Sequence, residues 1–131
     1  MILRSRLLAT VAAIALALVM SACGGGQDES GPDVPLSPTG EIGLQTVRDK
    51  GCTSCHGSDG SGGTGPPWVG LAGSVRPLDD GTEVVADRDY LIRSITEPQA
   101  DQVDGYNIRM PLVSLDENEI AAIVTLIEEL G

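Results

Sequence analysis

The stretch that most constrains this chain is GCTSCHG (51–57), because it concentrates nearly all of the chain's soft ligand chemistry in seven residues. The 131 residues include three cysteines and one histidine, and this stretch contains Cys52, Cys55 and His56. Two thiols three positions apart with an adjacent imidazole are compatible with three kinds of site: a redox disulfide, part of a zinc site, or a covalent attachment point for haem. The remaining residues distinguish between these alternatives.

A structural zinc site and a thioredoxin-like disulfide both fit this chain poorly. Structural zinc takes four cysteine or histidine ligands, and the domain offers only the three residues of the motif, so a carboxylate would have to be the fourth. A thioredoxin-like Cys-x-x-Cys stands at a helix start beside a βαβ core, and no such core is predicted. Haem attachment uses all three residues, because Cys52 and Cys55 add to the vinyl groups while His56 supplies an axial nitrogen.

Residues 1–22 are predicted to be an export signal and not part of the fold. Arg4 and Arg6 precede an apolar run of about 14 residues, which is too short to span a bilayer of roughly 30 Å. The tetrapeptide MSAC that ends at Cys23 resembles a bacterial lipobox, so we expect Cys23 to be lipidated and to become the mature N-terminus. Ordinary signal cleavage, which would release a free secreted protein, is the alternative. Haem is attached to c-type proteins outside the cytoplasmic membrane, in agreement with export.

Composition divides the rest of the chain into a lipidated flexible tether over 23–38, rich in Gly, Pro and acidic residues, and one small domain over 39–131. The net charge is −11, and loss of Arg4 and Arg6 leaves six basic and nineteen acidic residues. Nucleic acid is excluded as a partner, because its phosphates require Lys and Arg. A protein partner is expected to present a basic face. We expect an exported protein, anchored by its lipid on the outer face of a bacterial membrane, in the periplasm or at the cell surface.

The domain is predicted to be mostly helical, with one short hairpin and long loops. Apolar periodicity and a capping residue predict three helices: 40–50 after Thr39, 88–97 between Asp87 and Pro98, and a last helix that begins at the capping box Ser114–Glu117. An Asp-Gly turn between the runs 75–78 and 82–85 predicts the hairpin. The domain has no Phe and few other aromatic residues, so a large apolar cofactor would fill core volume that the side chains do not supply.

Met110 is the candidate for a second axial ligand, by elimination. His56 is the one histidine, and Met1 and Met20 belong to the predicted signal, so Met110 is the methionine that remains. It lies in the irregular segment GYNIRMP before the last helix. An isolated methionine can instead fill a gap in a core, but polar neighbours make this segment a poor apolar stripe.

With these residues in place, the domain resembles the small monohaem cytochromes c of the mitochondrial-type fold. The run GTGPPWVGLAG (63–73) resembles the family's Gly-Pro-x-Leu-x-Gly loop. This resemblance implies that the Pro66 carbonyl accepts a hydrogen bond from Nδ1–H of His56, and it places Trp68 where the family usually has a leucine against the haem. It also implies that Arg, Tyr and Trp side chains hold the haem propionates. The candidates for this role, each of which could equally be a surface or core residue, are Arg76, Tyr90, Arg93 and Tyr106.

A more specific resemblance is to the cytochrome c domain fused to subunit II of some bacterial haem–copper oxidases. The residue pattern typical of that domain is matched by DGTEVVADRDYLIRSITEP (80–98) and VDGYNIRMP (103–111). Subunit II of the oxidases also has a dinuclear copper site, and this sequence does not contain its ligands. The resemblance implies a carrier of single electrons in a bacterial respiratory chain, to or within a terminal oxidase, with redox proteins as partners and no small-molecule substrate. A haem subunit of a larger respiratory complex and a haem enzyme or sensor with a labile sixth ligand remain as alternatives.

Overall fold

The computed structural model describes residues 31–131. The predicted signal, the lipidation site Cys23 and the first part of the predicted tether lie outside the described residues, so these remain predictions. Within 31–131, no helix has both the length and the apolar character needed to cross a membrane.

The described residues form four helices and one two-stranded sheet. In chain order these elements are α1 (Pro38–Asp49), α2 (Thr53–His56), β1 (Val75–Pro77), β2 (Glu83–Val85), α3 (Arg88–Thr96) and α4 (Glu117–Glu129). The strands pair antiparallel, with Val75 opposite Val85, which confirms the predicted hairpin. The predicted cap of α3 is also confirmed, because the Asp87 carboxylate accepts a hydrogen bond from the Tyr90 N–H at 2.8 Å.

Helices α1 and α4 cross closely and form the centre of the fold. Val47 of α1 and Val124 and Leu126 of α4 are fully buried. At the crossing stands Gly43, where a Cβ would overlap the carbonyl oxygen of Ala122. Because each fully buried aliphatic side chain contributes roughly 1.5–3 kcal/mol, this contact between the two ends of the domain is a main source of its stability.

Helix α1 begins earlier than predicted. Its N-cap is Ser37 and not Thr39: the Ser37 hydroxyl accepts a hydrogen bond from the Gly40 N–H at 3.2 Å. Pro38 then occupies the first helical position, where the missing N–H of proline would have had no partner inside the helix. The physical reason for the shift is that Ser-Pro offers both a side-chain acceptor and a preset backbone angle.

Helix α4 begins later than the predicted box at Ser114. Its N-cap is Asp116, whose carboxylate accepts from the N–H groups of Asn118 and Glu119 at 2.8 and 2.9 Å. The Glu119 carboxylate in turn accepts from the Asp116 N–H at 2.9 Å. The same reciprocal box therefore forms two residues further along the chain, with a carboxylate in place of a hydroxyl.

The last turn of α4 carries two carboxylates that bind the starts of other helices. Glu129 accepts from the Ser37 N–H at 3.1 Å, at the beginning of α1. Glu128 accepts from Arg88 at 2.7 Å, at the first residue of α3. A carboxylate is favourable near a helix N-terminus, so both residues tie α4 to its neighbours.

Candidate functional site

The CTSCH motif lies on α2, a one-turn helix that the sequence analysis did not predict. The Cys52 N–H donates to the Val47 carbonyl at 2.8 Å, and the His56 N–H donates to the Cys52 carbonyl at 3.1 Å. Gly51, between α1 and α2, has φ of 77°, a left-handed conformation that favours glycine. The motif is thus fixed directly to the end of α1, with Cys52 and His56 one helical turn apart.

His56 is buried, at 8% exposure, and its ring is oriented by the backbone. Its Nδ1 lies 2.7 Å from the Pro66 carbonyl oxygen, the hydrogen bond that the family resemblance implied. Because a carbonyl only accepts, Nδ1 must carry the proton, which leaves the lone pair of Nε2 available to a metal. Burial lowers the pKa of His56, although the Pro66 hydrogen bond opposes this shift. The neutral, ligand-competent imidazole is therefore favoured.

A glycine-rich loop holds Pro66 against the histidine. The Gly62 N–H donates to the His56 carbonyl at 2.8 Å, and the Gly65 N–H donates to the Cys55 carbonyl at 2.9 Å. A Cβ at Gly65 would lie 2.9 Å from Cε1 of His56 and 3.1 and 3.2 Å from its two ring nitrogens. Three such similar distances place this position over the ring face, so only glycine fits there.

Trp68 stacks on the ring of His56. The ring centroids are 4.8 Å apart with an interplanar angle of 19°, and Trp68 is 6% exposed. The backbone N–H of Trp68 donates to the Gly60 carbonyl at 2.8 Å, which fixes the backbone that carries the indole. Aromatic pairs of this kind contribute about 0.5–1.5 kcal/mol beyond their buried area. The residue that replaces the family's leucine therefore confines the histidine itself.

A large apolar cleft opens beside His56. It contains about 1400 Å³ of space not occupied by protein atoms, including its mouth toward solvent. Nine of the ten predicted cofactor-binding candidates line it: Cys52, Cys55, His56, Pro66, Trp68, Arg76, Tyr90, Tyr106 and Met110. Its apolar walls include Leu71, Leu91, Ile95, Ile123 and Ile127, from α3, α4 and the loop before β1. Its mainly apolar walls, contributed by several elements of the fold, suit a large apolar cofactor.

Arg76, on β1, brings an unsatisfied donor to this cleft. Its Nε is buried and has no hydrogen-bond partner among the described residues. A buried donor without an acceptor costs roughly 1–3 kcal/mol, so the position suits an acidic group on a ligand. The carboxylate of a haem propionate has this chemistry, and Tyr90 and Tyr106 line the same cleft.

Arg93, the fourth propionate candidate, has a different partner. Its guanidinium binds the Asp101 carboxylate through Nε at 2.8 Å and Nη2 at 2.6 Å, and it lies over the Tyr90 ring, 5.7 Å from the centroid. Arg93 is not among the residues that line the cleft, whereas Asp101 is. Of the two roles that the sequence left open for Arg93, a propionate contact or a surface or core residue, this ion pair with a nearby carboxylate favours the second, and a propionate contact stays a prediction.

The two thiols lie in different environments. Burial raises the pKa of Cys52, which packs against the core. Hydrogen bonds from the Thr64 and Ser54 hydroxyls lower the pKa of Cys55. Because the thiolate is the nucleophilic form of cysteine, these surroundings favour that form more at Cys55 than at Cys52.

Met110 lines the same cleft from the segment that joins α3 to α4. Its carbonyl accepts a hydrogen bond from Nε2 of Gln99 at 2.8 Å, and Oε1 of Gln99 accepts from Nη1 of Arg109 at 3.1 Å. Sequence reasoning did not identify Gln99. The signal that the sequence offered was the position of Gln99 directly after Pro98, the proline that ends the helix predicted over 88–97.

A comparison with curated proteins finds no significant match. Residues 41–131, however, match the family model described as cytochrome c. The matched range contains every residue that lines the cleft, including the CTSCH motif and Met110. Cys52 and Cys55 have the thiol spacing for covalent haem c, His56 presents Nε2, and the buried Nε of Arg76 fits a propionate. The chain therefore belongs to the cytochrome c family and binds one covalent haem c.

Proposed function

We propose that this protein is a membrane-anchored monohaem cytochrome c that carries single electrons in a bacterial respiratory chain, to or within a terminal oxidase. His56 and Met110 are the axial ligands of its haem iron. Both positions are then filled by the protein, so the iron has no site for a substrate. The protein is an electron-transfer protein and not an enzyme.

One observation carries this proposal: Met110 lines the same cleft as Cys52, Cys55 and His56, although 54 positions separate it from the histidine. Bound haem supplies one reversible electron through its ferric and ferrous states. The chain supplies the rest. The backbone at Pro66 holds the His56 ring, the apolar walls exclude water, and Met110 offers a neutral thioether, a ligand that raises reduction potentials.

Replacing Met110 with Ala tests the ligand assignment. We expect the sulfur-to-iron charge-transfer absorption of the ferric protein to disappear and the reduction potential to fall by on the order of 0.1 V, within the roughly 0.8 V range over which axial ligands set potentials. Leu112→Ala is the matched control, because Leu112 lies in the same segment and is 72% exposed. An unchanged spectrum in Met110→Ala would refute the ligand assignment.

The respiratory and oxidase context rests on the resemblance of 80–98 and 103–111 to oxidase-fused domains. A haem subunit of a larger respiratory complex is an alternative with the same chemistry. Isolation from native membranes distinguishes the two, because a subunit remains with its complex through mild detergent purification and a shuttle does not.

A haem enzyme or sensor with a labile sixth ligand is the second candidate. It is favoured by the exposure of Leu112, at 72%, two residues after Met110 and outside the cleft. Binding of carbon monoxide to the native ferrous protein at neutral pH, or peroxidase activity, would support this candidate. Absence of both supports the closed electron carrier.

The anchor and the partners are part of the same proposal. Lipidation of Cys23 would hold the domain at the outer face of a membrane, and Cys23→Ser should then release the protein to the soluble fraction. Continued membrane retention would contradict the lipid anchor. The net charge of −11 supports a redox partner with a basic docking face, and electron transfer to such a partner should slow as salt rises.

A further inference from the structure

The segment around Met110 has little regular structure or packing to fix its position. No helix or strand lies between Thr96 and Glu117 in the described chain. The first part of the segment is attached to the hairpin, because Leu78 forms a bridge with Val103 and the Asp104 N–H donates to the Pro77 carbonyl at 2.9 Å. The part that carries Met110 lies beyond these contacts.

Residues 107–113 are also weakly buried. Leu112 is 72% exposed and lies outside the cleft, and Ile108, at 60% exposure, lines the cleft, so neither apolar side chain beside Met110 is packed in the protein core. Among residues 31–131, one hydrogen bond reaches the backbone of 107–113, and it is the bond from Nε2 of Gln99 to the Met110 carbonyl, at 2.8 Å.

Gln99 is well placed to act as a fixed point. It lies in a turn closed by the hydrogen bond from the Ala100 N–H to the Glu97 carbonyl at 2.8 Å, directly after α3. Arg109 donates to Oε1 of Gln99 at 3.1 Å. Because a guanidinium can only donate, it holds the oxygen end of the amide toward itself, and the N–H₂ end faces the Met110 carbonyl.

We propose that Gln99 is a positioning residue that holds Met110 against the cleft and so keeps the sixth position of the haem iron closed. The amide acts through the backbone of Met110 and touches neither the haem nor its iron. The inference rests on the proposed function, because it takes Met110 as the axial ligand.

Imidazole added to the ferric holoprotein tests this role, since it competes with Met110 for the iron and its binding is read from the haem absorption spectrum. In Gln99→Ala the closed state loses one hydrogen bond, which typically contributes about 0.5–1.5 kcal/mol. The dissociation constant for imidazole should therefore fall by about 2- to 12-fold. Gln99→Glu keeps an oxygen for Arg109 but loses the N–H that donates to the Met110 carbonyl. The dissociation constant for imidazole should therefore fall in this variant too.

Gln45→Ala is the matched control. Gln45 also makes an exposed side-chain hydrogen bond, to Asp49 at 2.8 Å in α1, but it is remote in sequence from the Met110 segment. This variant should bind imidazole as the wild type does. Equal affinity in Gln99→Ala, Gln99→Glu and the wild type would overturn the proposal. An equal gain of imidazole affinity in Gln45→Ala would also overturn it, since the effect would then come from a general loss of stability.

Failure of the proposed function gives a different result. If Met110 is not a ligand, the wild type will bind imidazole as tightly as Met110→Ala and will lack the sulfur-to-iron absorption, and both proposals fall. If the wild type shows that absorption and Gln99→Ala keeps wild-type imidazole affinity, the ligand assignment stands and the positioning role of Gln99 is wrong.

Discussion

The two sides of the haem cleft are built in different ways. The His56 side is attached to the core: His56 is 8% exposed, its ring stacks on Trp68, and its Nδ1 is bound to the backbone at Pro66. The Met110 side is a segment without helix or strand, held by one hydrogen bond that the Gln99 side chain donates to Met110 and one that it accepts from Arg109.

In the proposed His56 and Met110 ligation, this difference separates a permanent ligand from one that can be released. A region with few buried apolar contacts and exposed hydrogen bonds opens at low free energy, while a region in the packed core opens only with global unfolding. We therefore expect changes on the His56 side to alter stability as well as the haem. Changes on the Met110 side should alter the sixth position with little effect on the fold.

Removal of both thiols should have the largest effect on the His56 side of the cleft. Cys52→Ala with Cys55→Ala removes both sites of covalent attachment, and the domain, with few aromatic residues of its own, loses the group that fills its cleft. We expect no haem on the denatured chain by haem staining, and loss of the cooperative unfolding transition by circular dichroism. Ser58→Ala, at an exposed position next to the motif, should retain both. A stably folded double variant would show that the protein core is sufficient without haem.

Loss of the indole weakens the same side in a graded way. Trp68→Leu installs the family's usual residue but removes the stack on His56 and leaves unfilled volume, so the free energy of unfolding should fall by about 2 kcal/mol. The electron paramagnetic resonance spectrum of the ferric haem should also change, because the imidazole plane is less confined. The sulfur-to-iron absorption should persist. Val69→Ala, 52% exposed, is the control. A wild-type resonance spectrum in Trp68→Leu would mean that the hydrogen bond to Pro66 alone orients the ring.

The smallest effect is expected where the Met110 side meets α4. Lys50 donates to the Ser114 carbonyl at 3.1 Å and binds Glu119 at 2.9 Å. This contact with Lys50, followed by the hydrogen bond from the Asp116 N–H, lowers the pKa of Glu119 below its ordinary value of 4.5. A lowered carboxyl pKa contributes stability above the ordinary pKa, and this contribution is lost as the pH falls through the lowered value.

Glu119→Gln should therefore reduce stability near neutral pH and flatten the loss of stability below about pH 4.5, measured by chemical denaturation across pH. The pair is partly exposed, so the effect should be small and should diminish with salt. Glu117→Gln is the matched control, because Glu117 lies in the same helical turn but outside this ion pair. Identical pH profiles for Glu119→Gln and the wild type would show that Glu119 does not contribute to the pH dependence of stability.

The residues of the candidate site stand out in the sequence because they are rare residue types, and the fold brings them to one cleft. One histidine, two cysteines three positions apart and one methionine outside the predicted signal leave a single proposed pairing for a haem iron. The hairpin and the cap of α3 were also predicted correctly, because an Asp-Gly turn and an Asp before a helix are local signals that need no distant contact.

The parts that were missed depend on contacts between distant residues. Ser37 and Thr39 are both acceptable caps locally, but Ser37 also donates its N–H to Glu129, 92 positions away. The arginines Arg76 and Arg93 look alike in sequence, and only the fold shows that Asp101 binds one of them. Gln99 left no periodic pattern, because its role depends on how the loop returns to it.

The most direct test of this account is the proton nuclear magnetic resonance spectrum of the ferrous holoprotein. A methionine bound to haem iron lies over the porphyrin, whose ring current shifts its methyl and methylene signals far upfield. We predict one such set of methionine signals, assigned to Met110 because it is absent from Met110→Ala. A Met110 methyl signal at an ordinary aliphatic position in the native ferrous protein would contradict the closed, His56- and Met110-ligated electron carrier.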